Sequence, residues 1–300
     1  MHWIIKYLAP MFHQPKKRLG QHFLQDKNIA ERICDALIIP VCEDTGRGKE
    51  RRAESGENER SEERKEESEK RPEANFSVLE VGPGLGVLTQ FLYPLYKDKL
   101  FLVEIDNDLI PALKSNYPLI KDQIFEKDFL ELDLGSIFKT PVAVIGNFPY
   151  NISSQILFKI VDDRRIVQIM VGMFQKEVAQ RVVSLPGNKV YGLLSVWVQC
   201  FYNIEYLFTV NEGSFFPPPK VKSAVIRLIR KESEPECNTK LLLQIIKAAF
   251  NQRRKTLRNS LGEYKMHFEK IKDQELLSKR AETLGYEEYI MLAQVFDKFI

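Results

Sequence analysis

The sequence predicts an α/β chain in which a doubly wound, mostly parallel sheet is followed by a small helical domain. Three observations predict it. Strand-like and helix-like apolar patterns alternate from Phe76 to Val183. A glycine-rich loop, Gly82-Pro83-Gly84-Leu85-Gly86, comes after the first strong strand pattern. From about Asn238 onward only helical periodicity remains. Alternation favours a parallel sheet because consecutive parallel strands need a crossover, which a helix supplies.

Lys16 to Leu24 is basic and then turn-like. Asp26 can cap a helix whose apolar side carries Ile29, Ile33 and Leu37, and Pro40 ends it. Residues 43–74 form a charged insertion, nearly free of aliphatic side chains. Such a run buries too little apolar surface to offset its ordering entropy. Phe76 to Val81 reads as a strand, Val87 to Tyr96 as a helix, Lys99 to Ile105 as a strand and Leu109 to Ser115 as a helix. Gln123 to Glu126 and Val142 to Ile145 are the next strands. Ser153 to Ile160 is helical, Ile166 to Val171 a strand, Gln175 to Val183 a helix and Val221 to Ile229 a late strand. Leu241, Ile245, Ala248 and Ala249 open the helical tail. The expected organisation is an N-terminal extension at 1–15, an α/β domain at 16–232 that contains the insertion, and a helical domain at 233–300. Met11 is an alternative start to Met1.

Composition narrows the class. A hydrophobic fraction of 44% over 300 residues supports a full core. Net charge is +3, but Glu43 to Glu73 holds 12 acidic against 9 basic residues, which leaves the remainder at +6. That suits a polyanionic partner. Cys34, Cys42, Cys200 and Cys237 have no paired spacing, and the four His form no cluster. Neither a disulfide framework nor a metal site is expected. No apolar run approaches the roughly 18 residues of a membrane span, and Trp3 to Leu8 is too short for a signal peptide. A cytoplasmic protein is expected.

Chemistry enters at the glycine loop. Ligands of open parallel sheets sit at the carboxyl ends of the strands. Glycines there allow a sharp turn and a close approach. Val87 stands where a dinucleotide fingerprint wants a third glycine, so a nicotinamide cofactor is disfavoured. Glu104, ending the second strand, is placed for ribose hydroxyls, and Asp128, after the third, for an adenine amine. Gly82, Gly84, Glu104 and Asp128 together fit S-adenosylmethionine.

The second feature is Asn147-Phe148-Pro149-Tyr150, after the fourth apolar strand. Pro149 stiffens the turn. The N6 amine of adenine is a poor nucleophile, because its lone pair is delocalised into the ring. Acceptors aimed at its N–H groups favour a localised, pyramidal nitrogen. The amide oxygen of Asn147 is one such acceptor, and a main-chain carbonyl of the turn is another. Tyr150 offers a stacking face to an unstacked base. An adenine-N6 methyltransferase is the function these residues predict.

Taken with further segments, the chain resembles the small-subunit ribosomal RNA adenine dimethyltransferases of the kasugamycin-susceptibility type. The segments are Arg18 to Leu24, the glycine loop, Val103 to Asp106, Gly146 to Ser153, Gln175 to Val178, Tyr191-Gly192, Phe216 to Val221, and Gln252 to Leu261. The resemblance implies a Rossmann-like methyltransferase sheet. It also implies dimethylation of two adjacent adenines in a loop near the 3′ end of 16S rRNA, by a monomer acting on a pre-30S particle. It adds His22, Leu24 and Asn147 as cofactor contacts, with His22 standing where many members carry Asn. It makes Phe215 the second aromatic wall of the base pocket, with Phe216 as competitor. Phe148 replaces the commoner Leu, and the insertion departs from the usual short connection. Methylation of large-subunit rRNA and a mainly assembly-related role are the competing readings.

Lys16, Lys17, Arg18, Lys220, Lys222, Arg253, Arg254 and Lys255 are candidate phosphate contacts. Arg253 and Arg254 could equally be structural ion pairs.

Overall fold

The computed structural model describes residues 15–38 and 76–298. The extension before residue 15, Pro40, Cys42 and the insertion at 43–74 lie outside the described residues.

The chain opens with β1 (Phe23–Leu24) and α1 (Lys27–Asp35). Asp26 caps α1 as expected, accepting from the backbone N–H groups of Asn28 and Ile29, and the helix buries Ala30, Ile33 and Cys34. Strands and helices then alternate: β2 (Ser77–Val81), α2 (Thr89–Tyr96), β3 (Leu100–Glu104), α3 (Ile110–Asn116), β4 (Ile124–Glu126), α4 (Leu134–Ile137), β5 (Val142–Asn147), α5 (Ser153–Asp162), β6 (Val167–Gln175) and α6 (Lys176–Val183). Then come α7 (Leu193–Gln199), β7 (Tyr202–Val210), β8 (Phe215–Phe216) and β9 (Ser223–Arg230).

The main sheet has seven strands in the order β4-β3-β2-β5-β6-β9-β7. The first five are mutually parallel. β9 runs antiparallel to both β6 and β7. β2 therefore stands where the winding reverses, with β3 on one side and β5 on the other. That is the switch point at which a ligand crevice opens.

Alternation along each strand builds two cores. Leu79, Val142 and Val144 belong to one buried cluster, and Val78, Ala143 and Ile145 to the other. Successive strand residues point to opposite faces, so both faces of the sheet are covered.

The elements that escaped the sequence reading are α7 and β7, together with the short β1, α4 and β8. Strand β7 lies at the sheet edge and is only half-buried along most of its length. Its register also shifts between Tyr206 and Phe208. Apolar and polar residues do alternate from Tyr202 to Tyr206, but the alternation is lost over Leu207 and Phe208, where the register shifts. β6 also runs four residues beyond the expected Val171.

The last segment is helical: α8 (Thr239–Asn251), α9 (Leu257–Ser260) and α10 (Tyr286–Asp297). Asn238 caps α8. Leu241, Ile245, Ala249 and Phe296 bury into the same cluster as Val196, Trp197 and Ile156.

Two glycines set the packing at the end of β5. Gly146 pairs in register with Gly172 across β5 and β6. A Cβ on Gly146 would lie 2.6 Å from the Val81 carbonyl oxygen, and one on Gly172 would lie 2.5 Å from the Phe148 ring. Glycine at 146 lets the end of β5 lie hard against β2, and glycine at 172 makes room for the Phe148 ring beside Asn147.

Candidate active site

A cavity opens at the carboxyl ends of β2, β3 and β5. Residues 18–24, 80–85, 103–105, 127–130 and 147–152 line it, together with Val87 and Leu88. Sequence-predicted Arg18, His22, Leu24, Gly82, Gly84, Glu104, Asp128, Asn147, Pro149 and Tyr150 all meet there.

The floor is the glycine loop. Gly82, Gly84 and Gly86 have φ of 68°, 58° and 81°. An L side chain is strained at such angles. The Gly82 N–H bonds the Val103 carbonyl at 2.9 Å, tying the loop to β3. At Gly84 a Cβ would press within 3.1 Å of the Phe23 ring, whereas at Gly82 it would meet nothing within 4 Å. The loop thus leaves an open cradle beside backbone amides.

Glu104 reaches back to that loop. One carboxylate oxygen accepts from the Gly84 N–H and the other from the Asp106 N–H, each at 2.9 Å. Burial pushes its carboxyl above the ordinary range, against the pull of these donors. Asp128 caps a short turn by accepting from the Leu130 N–H at 2.9 Å. The two acids present oxygen acceptors along one wall of the cavity. An acceptor set facing a glycine cradle fits a nucleoside carrying ribose hydroxyls and an exocyclic amine.

Ile105 and Glu80 are among the lining residues that were not singled out from the sequence. Ile105 keeps 47% of its surface exposed although it is apolar and comes directly after a buried strand. It offers a flat apolar contact to a ring. Glu80 is buried beneath the loop and accepts from the Thr89 hydroxyl at 2.7 Å. Burial pushes its carboxyl up to about 8, against that hydrogen bond. The folded chain therefore holds a proton on Glu80 that the unfolded chain releases near 4.5. Between those values stability falls as pH rises, by up to about 1.4 kcal/mol per pH unit, and it levels off above them. Glu80→Gln should remove this component. Urea midpoints at pH 5 and pH 8 should fall less in the variant than in the parent. Equal losses would show that Glu80 does not titrate in this window.

The fourth strand delivers Asn147. Its side-chain N–H donates to the His22 carbonyl at 2.8 Å. That bond consumes a donor and fixes the amide, so the oxygen faces away as an acceptor. Pro149 has φ −58° and ψ 132° and holds the turn extended. The Pro149 carbonyl accepts from the Ile152 N–H, and the Tyr150 carbonyl from Ser153. Phe148 is buried and stacks on Phe174, with centroids 5.0 Å apart. The Tyr150 hydroxyl bonds the Ser223 hydroxyl.

Residues 15–24 form a strap over this cavity. Lys16 pairs with Asp106 and, at 2.6 Å, with Asp108, and the Gln21 amide donates to Asp106 at 2.8 Å. Burial opposes the charge of Asp106, yet Lys16 and Gln21 hold its carboxyl below the ordinary range. The Lys16 ammonium is held up by these same bonds.

Two site expectations need correction, at Lys16 and Phe215, and Arg253 makes a contact within the fold. Lys16 is a latch between the strap and the segment after β3, not a free phosphate contact, because two carboxylates occupy its ammonium. Arg253 donates to the Lys189 carbonyl at 2.8 Å and lies 3.6 Å from Glu282, yet its side chain stays 38% exposed, so both readings stand. Phe215 pairs with Leu24 and is buried in the core, while Phe216 beside it is 54% exposed. The strand alternation of β8 turns Phe215 inward, and neither ring lines the cavity. Arg18, Lys220, Lys222, Arg254 and Lys255 are exposed, and of these only Arg18 lines the cavity. The Lys17 side chain lies outside the described part of the structure.

Comparison with known proteins agrees with this geometry. A ribosomal RNA small subunit methyltransferase A of Bacteroides thetaiotaomicron is 45% identical, covering 93% of this chain and 92% of its own. The protein of the same name from Phocaeicola vulgatus is 43% identical over 93% of this chain and 88% of its own. A dimethyladenosine transferase from Plasmodium falciparum superposes with a TM-score of 0.65 at 27% identity, over 75% of this chain and 92% of that one. The 23S rRNA methyltransferase ErmE shares the fold, with a TM-score of 0.62 at 21% identity over 92% of this chain and 99% of that one. Residues 12–298 match the family described as ribosomal RNA adenine dimethylase. With its glycine cradle, paired acids and oriented Asn147, the chain belongs to the ribosomal RNA adenine dimethylase family.

Proposed function

We propose that the chain dimethylates the N6 amines of two adjacent adenines in a loop near the 3′ end of small-subunit rRNA, with S-adenosylmethionine as donor. The observation that carries this reading is Asn147, whose amide oxygen is turned outward at the cavity by the bond to His22. The curated relatives are named as small-subunit methyltransferases, which supports the choice of RNA.

S-adenosylmethionine supplies, when bound, a methyl group activated as a sulfonium. Gly82, Gly84, Glu104 and Asp128 would hold it, with Leu24 and the His22 backbone closing the strap side. The Asn147 oxygen accepts one N–H of the adenine amine. The carbonyls of Pro149 and Tyr150 are engaged by the start of α5, which leaves the Phe148 carbonyl of the turn as the second acceptor. Two acceptors localise the nitrogen lone pair and aim it; no strong base is required, because the nitrogen becomes acidic once alkylated. Tyr150 supplies a stacking wall, and the exposed Phe216 is better placed than Phe215 to supply a second. Arg18, Lys220, Lys222, Arg254 and Lys255 would contact phosphates. The protein would act in the cytoplasm as a monomer on a pre-30S particle.

The test is transfer of labelled methyl groups to small subunits from cells lacking the modification, with the labelled bases mapped. Label on two adjacent adenines of the small-subunit RNA is expected. Label only in large-subunit RNA overturns the reading.

A further inference from the structure

The two halves of His22 face different tasks. Its backbone carbonyl orients Asn147. Its side chain turns away toward Tyr150, and the two rings stack with centroids 5.4 Å apart and planes 26° apart. Its Nδ1 bonds the Pro217 carbonyl at 2.8 Å. Pro217 lies just after β8, which pairs with β1 just beyond His22. One imidazole thus joins three pieces of the site: the strap, the tyrosine of the Asn147 turn, and the turn after β8.

We propose that the His22 side chain is a positioning residue of the base pocket, fixing the Tyr150 ring and the Pro217 turn so that a target adenine meets a preformed wall. The inference rests on the adenine reading above. Tyr150 is then held at two points. His22 packs one face, and Ser223 binds the hydroxyl. Tyr150 lines the cavity, and the base would stack on the ring face that His22 does not cover. A wall already locked in place loses less rotamer freedom when the base arrives, which strengthens binding without adding a contact. Because the carbonyl that orients Asn147 belongs to the backbone, replacing the side chain leaves that bond available. Strand pairing of β1 with β8 also persists without the ring.

Three variants separate the roles. His22→Ala removes ring and hydrogen bond, His22→Phe keeps a stacked ring alone, and His22→Asn keeps a small polar group without the ring. Cofactor affinity is measured by calorimetry, and KM for small-subunit RNA and kcat by labelled-methyl transfer. His22→Ala should raise the KM for RNA about tenfold, the scale of one lost aromatic stack, while the cofactor Kd stays within about twofold. His22→Phe should recover most of that loss, and His22→Asn should not. A His22→Ala protein with unchanged KM and kcat overturns the inference. So does one whose cofactor Kd weakens as much as its KM for RNA, because the side chain would then serve the cofactor. Should the unmodified chain fail to methylate small-subunit RNA, the adenine reading itself falls and takes this inference with it. Normal transfer by the unmodified chain with an unaltered His22→Ala variant refutes the positioning role alone.

Discussion

Asn147→Ala should lower kcat by about 100- to 1,000-fold, the usual cost of losing one preorganised polar contact to the reacting group. The loss should fall mainly on turnover, with cofactor binding weakened but still detectable, because the cradle, Glu104 and Asp128 are untouched. Alanine also leaves the His22 carbonyl without its donor. An unpaired, half-buried carbonyl costs roughly 1–3 kcal/mol, so a modest drop in melting temperature should accompany the loss. Asn147→Asp provides the control for charge. It keeps an acceptor oxygen but sets a carboxylate against the His22 carbonyl, so turnover should fall while the fold survives. Single-turnover transfer beside calorimetric cofactor binding separates these effects. Turnover within threefold of the parent in Asn147→Ala would remove this residue from the chemistry.

Glu104→Ala should weaken cofactor binding roughly 100-fold or more. Glu104 does two jobs at once. It faces the cavity, and its two oxygens accept the N–H groups of Gly84 and Asp106. Hydrogen bonds to a charged group are each worth about 1.5–3 kcal/mol, and truncation strands two donors in a buried place. The loop conformation and the ribose acceptor are lost together. Glu104→Gln should be intermediate, since an amide has one acceptor oxygen for two backbone donors. Titration calorimetry measures both, and a cofactor Kd within threefold of the parent in Glu104→Ala would contradict the assignment. The buried carboxyl of Glu80 beneath the same loop belongs to stability, and its effect is read in the pH dependence of unfolding.

Much of the site is legible in the sequence. Gly82, Gly84, Glu104, Asp128 and Asn147 each sit at the end of a strand that periodicity can find. In a parallel sheet, strand ends of like direction share one edge. Once four strands are placed, their terminal residues have to meet. The N-cap at Asp26 is legible for a similar reason, since its bonds run two and three residues along the chain.

Other assignments hang on partners far away in sequence. Lys16 reads as a phosphate contact until Asp106, 90 residues on, is seen to hold it. Arg253 donates to Lys189, 64 residues before it. The His22 ring is placed by Pro217, 195 residues away. Phe215 and Phe216 are adjacent and chemically alike, and only the pairing of β8 with β1 decides which turns inward.

The glycine loop, its carboxylate and the Asn147 turn are therefore written locally, because strand period and turn chemistry act over a few residues. The direction in which each charge and ring points is not. That depends on which distant segment is packed alongside it, and packing is a property of the folded chain as a whole.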